Sequence, residues 1–391
     1  MPHSIRGEQL RRYRLNKLGI GTRIETIPDI IDANGGINAC NIATPYLALL
    51  CRSVKNPFAA LNKEQLKTRK ITKIRAMRGN VYMMPTRRLP LILGAFISRP
   101  RIMSKYYKSW GVQEDNVVEN RRRLMESLRM GPKSQKELRA QFPDLASVQL
   151  IGTGSERTNL LNLILQSLQM EGELIIEKSV TGETIRNTQV YVALRALFPK
   201  LPPIPNREDC LPSLIKWYFQ IHGPADFDDL AWWTGINKVL LKKSIEKVAL
   251  EQIEINGDTR PQYMLAEDID ALRATKGDET GDLTLLPPND PYLKGHKNTS
   301  FFLSGVPEQA VFERGESRPT IVVDGRVVGL WRLVEHGDEL LIGVDLFDEK
   351  VVDPEKLRIA KESTIAFTHS HLGPYIDNLI KGIITGCEVY A

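Results

Sequence analysis

The sequence predicts an α+β protein: three similar helix-rich units, each closed by a β-hairpin, followed by a smaller β-rich region. Three observations carry this. The order helix, short helix, longer helix, hairpin recurs three times. The hairpins close on related strands, VYMM at 81–84, VYVA at 190–193 and QYML at 262–265. After residue 283 helical periodicity gives way to loops and alternating strands. The chain has 391 residues, room for two to four domains at roughly 100–200 residues each. The units fall at 1–112, 113–200, 201–282 and 283–391.

In the middle unit, VVENRRRLMESLRM (117–130) reads as the first helix, stopped by Gly131-Pro132. Ser134 and Glu137 make a capping box for a second helix over 134–142. The third helix spans 156–172, where Leu160, Leu161, Ile164, Leu165 and Leu168 repeat at helical spacing. ELIIEK (173–178) and TQVYVAL (188–194) are its strands. The glycines of GTGSERTN (152–159) match no phosphate-loop or dinucleotide spacing, and this segment reads as a loop.

The next unit is clearer. A helix over 211–223 ends at Gly223-Pro224, Asp226 caps a second at 225–235, and a third spans 236–248. Two strands then flank Asn256-Gly257-Asp258, a strong hairpin signal. Acidic pairs such as Asp228-Asp229 read as helix-surface charges.

The first unit is less regular. Thr44-Pro45 opens its third helix, TPYLALLCRS. Its hairpin spans 70–85 and turns at Arg78-Gly79-Asn80, with Met83 and Met84 as packing residues. Small polar groups, Asn38, Cys40 and Asn41, follow the Gly35-Gly36 pair just ahead of the third helix.

Three helices and a two-stranded wing describe the winged helix, a helix-turn-helix variant whose third helix typically enters a DNA groove. Such modules also bind proteins. Charge favours nucleic acid. Residues 1–130 hold 25 lysines and arginines against 9 acidic residues, whereas the remainder holds 28 against 38. A basic excess so localised calls for a polyanionic partner. Around the first wing, Arg75, Arg78, Arg87 and Arg88 with Asn80 and Tyr82 suit phosphate contact and base stacking.

The last region opens with the loop-rich LTLLPPNDPYLKGHKNTSFFL. RPTIVVDGRVVGLWRLV (318–334) then forms two strands around Asp324-Gly325, and DELLIGVDLF adds another. PEKLRIAKESTIAFTHSHLG and PYIDNLIKG add helix.

Other chemistries find no support. The longest apolar stretch, Leu89–Ile97, is far short of the ~20 residues that span a bilayer, and the N-terminal residues lack a signal-peptide core. The expectation is a cytoplasmic protein without membrane association. Cys40, Cys51, Cys210 and Cys387 form no C-x-x-C pair, and His369 and His371 lack a nearby third ligand. Four reduced thiols, no metal and no cofactor are expected.

Four segments, in order, resemble the winged-helix DNA glycosylases of the AlkZ/YcaQ type. They are GINACNIATPYLALLCR, MRGNVYMMP (77–85), LLPPNDPYLKGH (285–296) and RPTIVVDGRVVGLWR (318–332). The resemblance implies tandem winged helices embracing duplex DNA, and hydrolysis of the N-glycosidic bond of alkylated purines. It also implies a Q-x-Q or Q-x-D pair that positions water near the sugar. Asn38-Ala39-Cys40 stands where that pair belongs, and Asn80 and Tyr82 replace a threonine and a histidine. Asn38 keeps an amide one methylene shorter; a Cys40 thiol is a weak hydrogen-bonding group. Asn41 offers a second amide. Two functions therefore follow: a divergent glycosylase using Asn38, Cys40 and Asn41, or a non-catalytic DNA-binding or lesion-sensing homologue. A protein-interaction module is a third. The sequence names no protein partner.

Overall fold

The computed structural model describes residues 5–97, 100–181, 184–336 and 339–372. The fold is mixed α/β, with small antiparallel sheets set among short helices. The three hairpins expected from the sequence share one arrangement. Strands Ile71–Arg75 and Val81–Pro85 pair, as do Leu174–Thr181 with Thr184–Ala193 and Leu250–Ile253 with Gln262–Leu265. Each second strand has a further neighbour on its outer side. Asn38 lies opposite Tyr82, Lys133 opposite Tyr191, and Ala225 opposite Tyr263. The tyrosines of the three related closing strands thus occupy equivalent places.

Most elements start and stop for local reasons. Ser134 and Glu137 cap the helix Gln135–Gln141 reciprocally. Asp226 and Asp229 do the same for Phe227–Thr234, which ends at Gly235 in the left-handed region (φ 69°). The middle unit's third helix begins at Leu160 rather than 156. The residues ahead of it, Arg157–Asn159, are drawn into a small hairpin with Gln149–Ile151, and Asn159 caps the helix. The glycines of 152–154 are the turn of that hairpin. In the first unit, Thr44–Leu50 is helical as expected, and a further helix, Pro57–Asn62, precedes the wing.

The C-terminal region is a four-stranded sheet, ordered Leu283–Leu286, Thr320–Val323, Arg326–His336, Glu339–Leu346. The helix Pro354–His371 follows it. The second helix expected there, PYIDNLIKG, lies outside the described residues. Sheet and helix share one core with the first unit: Ile37, Tyr46, Leu49, Met83, Ile321, Trp331 and Phe367 belong to a single buried cluster. The N-terminal helix Gly7–Lys17 packs elsewhere. Leu10 and Tyr13 join Ile255, Met264 and Leu272 beneath the third hairpin. Among the described residues, no helix is long and apolar enough to cross a membrane.

Candidate functional site

The segment from Gly35 to Thr44 is shaped by backbone requirements. Gly36 has φ 87°, and a Cβ placed there would lie 2.5 Å from Met84 Cε and 3.2 Å from the Met83 carbonyl oxygen. Only glycine lets the chain pass this close and turn into the strand Ile37–Asn38. That strand registers on the hairpin strand Val81–Pro85, Ile37 opposite Met83 and Asn38 opposite Tyr82, and Ala39 N–H donates to the Val81 carbonyl at 2.8 Å.

Asn38 and Asn41 are both buried, and both hold the loop. Asn38 Oδ1 accepts from Cys40 N–H at 3.0 Å, and Asn41 Oδ1 accepts from Ala43 N–H at 2.8 Å. These are side-chain-to-backbone turns of the kind asparagine favours. The Asn38 amide also acts on the Tyr82 hydroxyl. Burial pushes the Tyr82 phenol well above its ordinary range and Glu316 adds to this, while Arg78 and Asn38 oppose it. Tyr82 is a neutral phenol at physiological pH.

Cys40 corrects the expectation of four reduced thiols, because it is disulfide-bonded. Its sulfur carries no acidic proton, and it lies 3.9 Å from both Asn80 Oδ1 and the Val81 carbonyl oxygen. Cys51 and Cys210 are free thiols.

The arginines separate into two groups. Arg78 sits at the tip of the hairpin Ile71–Pro85 in the left-handed region (φ 55°), a conformation costly for a residue with a side chain. It is exposed. Its guanidinium lies 5.0 Å from the centre of the Trp232 ring. Arg75 folds back on the same tip, donating to the Gly79 carbonyl at 2.8 Å. Arg87 and Arg88 instead meet carboxylates. Arg87 pairs with Asp29 and Asp32, and Arg88 with Asp32 at 2.7 Å while lying over Trp217. The structure thus brings Asn38, Cys40, Asn80, Tyr82 and Arg78 together and ties Arg87 and Arg88 to the helix Ile27–Ala33.

Three features were not visible in the sequence. Trp232 is only partly buried and has two cations on it, Arg78 and Lys294, the latter at 5.1 Å. Asp229, read as a surface charge, is buried. It accepts backbone N–H bonds from Lys297 at 2.8 Å and Asn298 at 3.0 Å, and its Oδ2 lies 3.4 Å from His296 Nδ1. Its neighbour Asp228 does pair on the surface, with Lys238. Finally, Arg52 is wholly buried against Asp290.

A family model described as DNA glycosylase AlkZ-like matches residues 31–363. The chain belongs to the AlkZ-like DNA glycosylase family. It is similar to an interstrand DNA cross-link repair glycosylase of Streptomyces sahachiroi, with 28% identity over 172 residues. That match covers 42% of this chain and 45% of the relative, so the chain matches about half the relative's length. The solved structure of the Streptomyces sahachiroi DNA glycosylase AlkZ shares the fold. Its TM-score is 0.73 at 20% identity, covering 95% of this chain and 98% of that one.

The AlkZ-like segments acquire structural reasons in this chain. Arg52, two residues past the helix Thr44–Leu50, meets Asp290 of the PPNDPYLKGH segment through two hydrogen bonds. Asn289 exchanges bonds with Ser317, and Tyr292 Oη donates to the Gly325 carbonyl at 2.7 Å. Trp331 Nε1 donates to the Leu286 carbonyl at 2.9 Å. Through Arg52, and through Thr44, whose hydroxyl donates to the Pro288 carbonyl, these segments tie the C-terminal sheet to the helix Thr44–Leu50.

Proposed function

We propose that this AlkZ-like chain acts on double-stranded DNA as a monofunctional glycosylase, hydrolysing the N-glycosidic bond of alkylated purine nucleotides. Three tandem winged helices, over 1–112, 113–200 and 201–282, form its DNA-binding part. The recurring sheet order, an outer strand beside the second strand of each wing, supports this reading. The basic excess of residues 1–130 supports DNA as the partner.

The observation that carries the catalytic part is Asn38. It is a buried amide held by the wing strand, beside a neutral Tyr82 and an exposed cationic tip at Arg78. Alkylation of a purine ring nitrogen makes the base a cation. When water attacks C1′, the C1′–N bond breaks, its electron pair neutralises the departing base, and the water loses a proton to solvent. Such a reaction asks the protein for water placement and tolerance of an oxocarbenium-like sugar more than for a strong acid. Asn38 holds the water, with Asn41 behind it. Arg75, Arg78, Asn80 and Tyr82 meet the strand, and Arg87 and Arg88 flank it.

A second reading is a non-catalytic DNA-binding or lesion-sensing homologue. It is favoured by the commitment of Asn38 Oδ1 to Cys40 N–H and by the lack of a thiol at Cys40. The deciding experiment incubates the protein with duplexes carrying small N7 or N3 adducts or a bulky one and measures abasic sites. Release by the wild type and not by Asn38→Ala, with binding retained in both, supports the first reading. Binding without release by the wild type supports the second.

A further inference from the structure

We propose that Arg78, Trp232 and Lys294 form a binding site for one backbone phosphate of DNA, next to the nucleotide at Asn38. The inference rests on the DNA reading above.

Three distant stretches of chain meet here. The wing tip Met77–Gly79 packs against the end of the helix Phe227–Thr234, and Gly235 makes room for it. A Cβ on Gly235 would lie 3.0 Å from Arg78 Cγ and 3.4 Å from Arg78 Cα. The turn Pro291–Lys294 brings the third part. Trp232 carries the Arg78 guanidinium at 5.0 Å and the Lys294 ammonium at 5.1 Å from its ring centre.

Cations over an indole are attracted to its face. Two cations on one ring also repel each other, and a stable protein ordinarily sets a carboxylate between them. None lies within ion-pair distance: neither cation has an ion pair among the described residues, and Arg78 donates no hydrogen bond to them. Lys294 donates to the Gly315 carbonyl, which leaves two N–H groups. Glu316 acts on Lys294 electrostatically from beyond ion-pair distance. Burial, seconded by Arg78, outweighs Glu316 and lowers the Lys294 pKa to about 8. An anion between the two heads reverses that penalty.

A phosphodiester fits this chemistry. It offers two unesterified oxygens and one negative charge, and a guanidinium and an ammonium bind it in complementary ways. Position selects which phosphate. Asn38 lies opposite Tyr82, four residues beyond Arg78 on the same hairpin, and Arg78 and the Asn38 amide both act on the Tyr82 hydroxyl, so Arg78 stands on the Asn38 side of the pair. Trp232 is a positioning residue: it holds the two heads where the anion passes.

The test measures duplex affinity against salt for the wild type, Lys294→Met and Lys294→Arg. It uses plain duplexes and duplexes with one neutral methylphosphonate moved along each strand. Lys294→Met is expected to bind roughly tenfold more weakly and to lower the log–log salt slope by about 1. The wild type and Lys294→Arg should lose affinity at one particular neutral linkage, and Lys294→Met should be indifferent there. An unchanged slope, or the same linkage sensitivity in Lys294→Met as in the wild type, overturns the proposal and leaves DNA binding standing. Failure of the wild type to bind duplex at low salt overturns both. Should Lys294→Met lose its cooperative melting transition, Arg78→Ala at the exposed tip provides the same two readouts.

Discussion

The Arg52 guanidinium meets the Asp290 carboxylate with Nη1 2.8 Å from Oδ2 and Nη2 3.0 Å from Oδ1, and both side chains are wholly shielded from solvent. Arg52 also donates to the Leu18 and Ala48 carbonyls and to Asn34 Oδ1. Burial works to lower its pKa, but Asp290 outweighs burial and holds the guanidinium above its ordinary range. A charge so enclosed cannot be left alone. Asp290→Ala should therefore destabilise the protein by about 3–5 kcal/mol, measured by urea unfolding. Replacing both residues with apolar ones of similar volume should recover much of that loss. An Asp290→Ala change under 1 kcal/mol would show that the pair is not buried as described.

Gly36 should tolerate no side chain. Gly36→Ala combines positive φ with a clash against Met84 and the Met83 carbonyl, so it should cost about 1–3 kcal/mol. Because Ile37 and Asn38 register on the same strand, the variant should also lower base release or DNA affinity more than its stability loss explains. Circular dichroism melting beside the abasic-site measurement separates the two effects.

Asn38→Asp is informative beside Asn38→Ala. Aspartate retains the acceptor for Cys40 N–H, whereas alanine removes it. If loop geometry alone matters, Asn38→Asp should behave as wild type in stability and release. If the amide places the water, release should fall in both variants, with duplex affinity changing less than about threefold in Asn38→Ala.

The arginines should not be equivalent. Arg78→Ala should lower the salt slope of duplex binding by about 1 with little change in melting temperature. Arg88→Ala should act mainly on stability, since it leaves Asp32 half-paired and uncovers Trp217. Equal salt slopes for the two variants would contradict this division.

Acid should weaken the fold through His296. The ring is buried, and burial, aided by Arg14, lowers its pKa to about 4 despite Asp229. Unfolded chains take up this proton near pH 6.5, while the folded protein resists it. Its stabilising contribution is thus complete above about pH 6.5 and is lost as pH falls to about 4, at ~1.4 kcal/mol per unit for such a group. His222, also buried and lowered, acts in the same direction. Urea midpoints from pH 7 to 4 should fall steeply, and His296→Asn should flatten part of that slope.

Much of this protein was determined by the sequence alone. The capping box at Ser134, the cap at Asp226, the Asn256-Gly257 and Asp324-Gly325 turns and the Arg78-Gly79 tip are local, since a few neighbouring residues satisfy their own backbone groups. The repeated closing strands and the ordered segments that mark the AlkZ-like family are likewise written in linear order. Tertiary structure decided what those signals serve. Whether an arginine lacks an ion pair among the described residues, as Arg78 does, or is neutralised, as Arg87 and Arg88 are by Asp32, depends on a carboxylate more than fifty positions away. Asp229 looks like its neighbour Asp228 in sequence, but only folding sets it against His296 and the Lys297 and Asn298 amides. Trp232 becomes a seat for two cations because the wing tip and the Pro291–Lys294 turn converge on it. Charge and burial depend on distance in space, and no local pattern encodes a meeting between residues 78, 232 and 294.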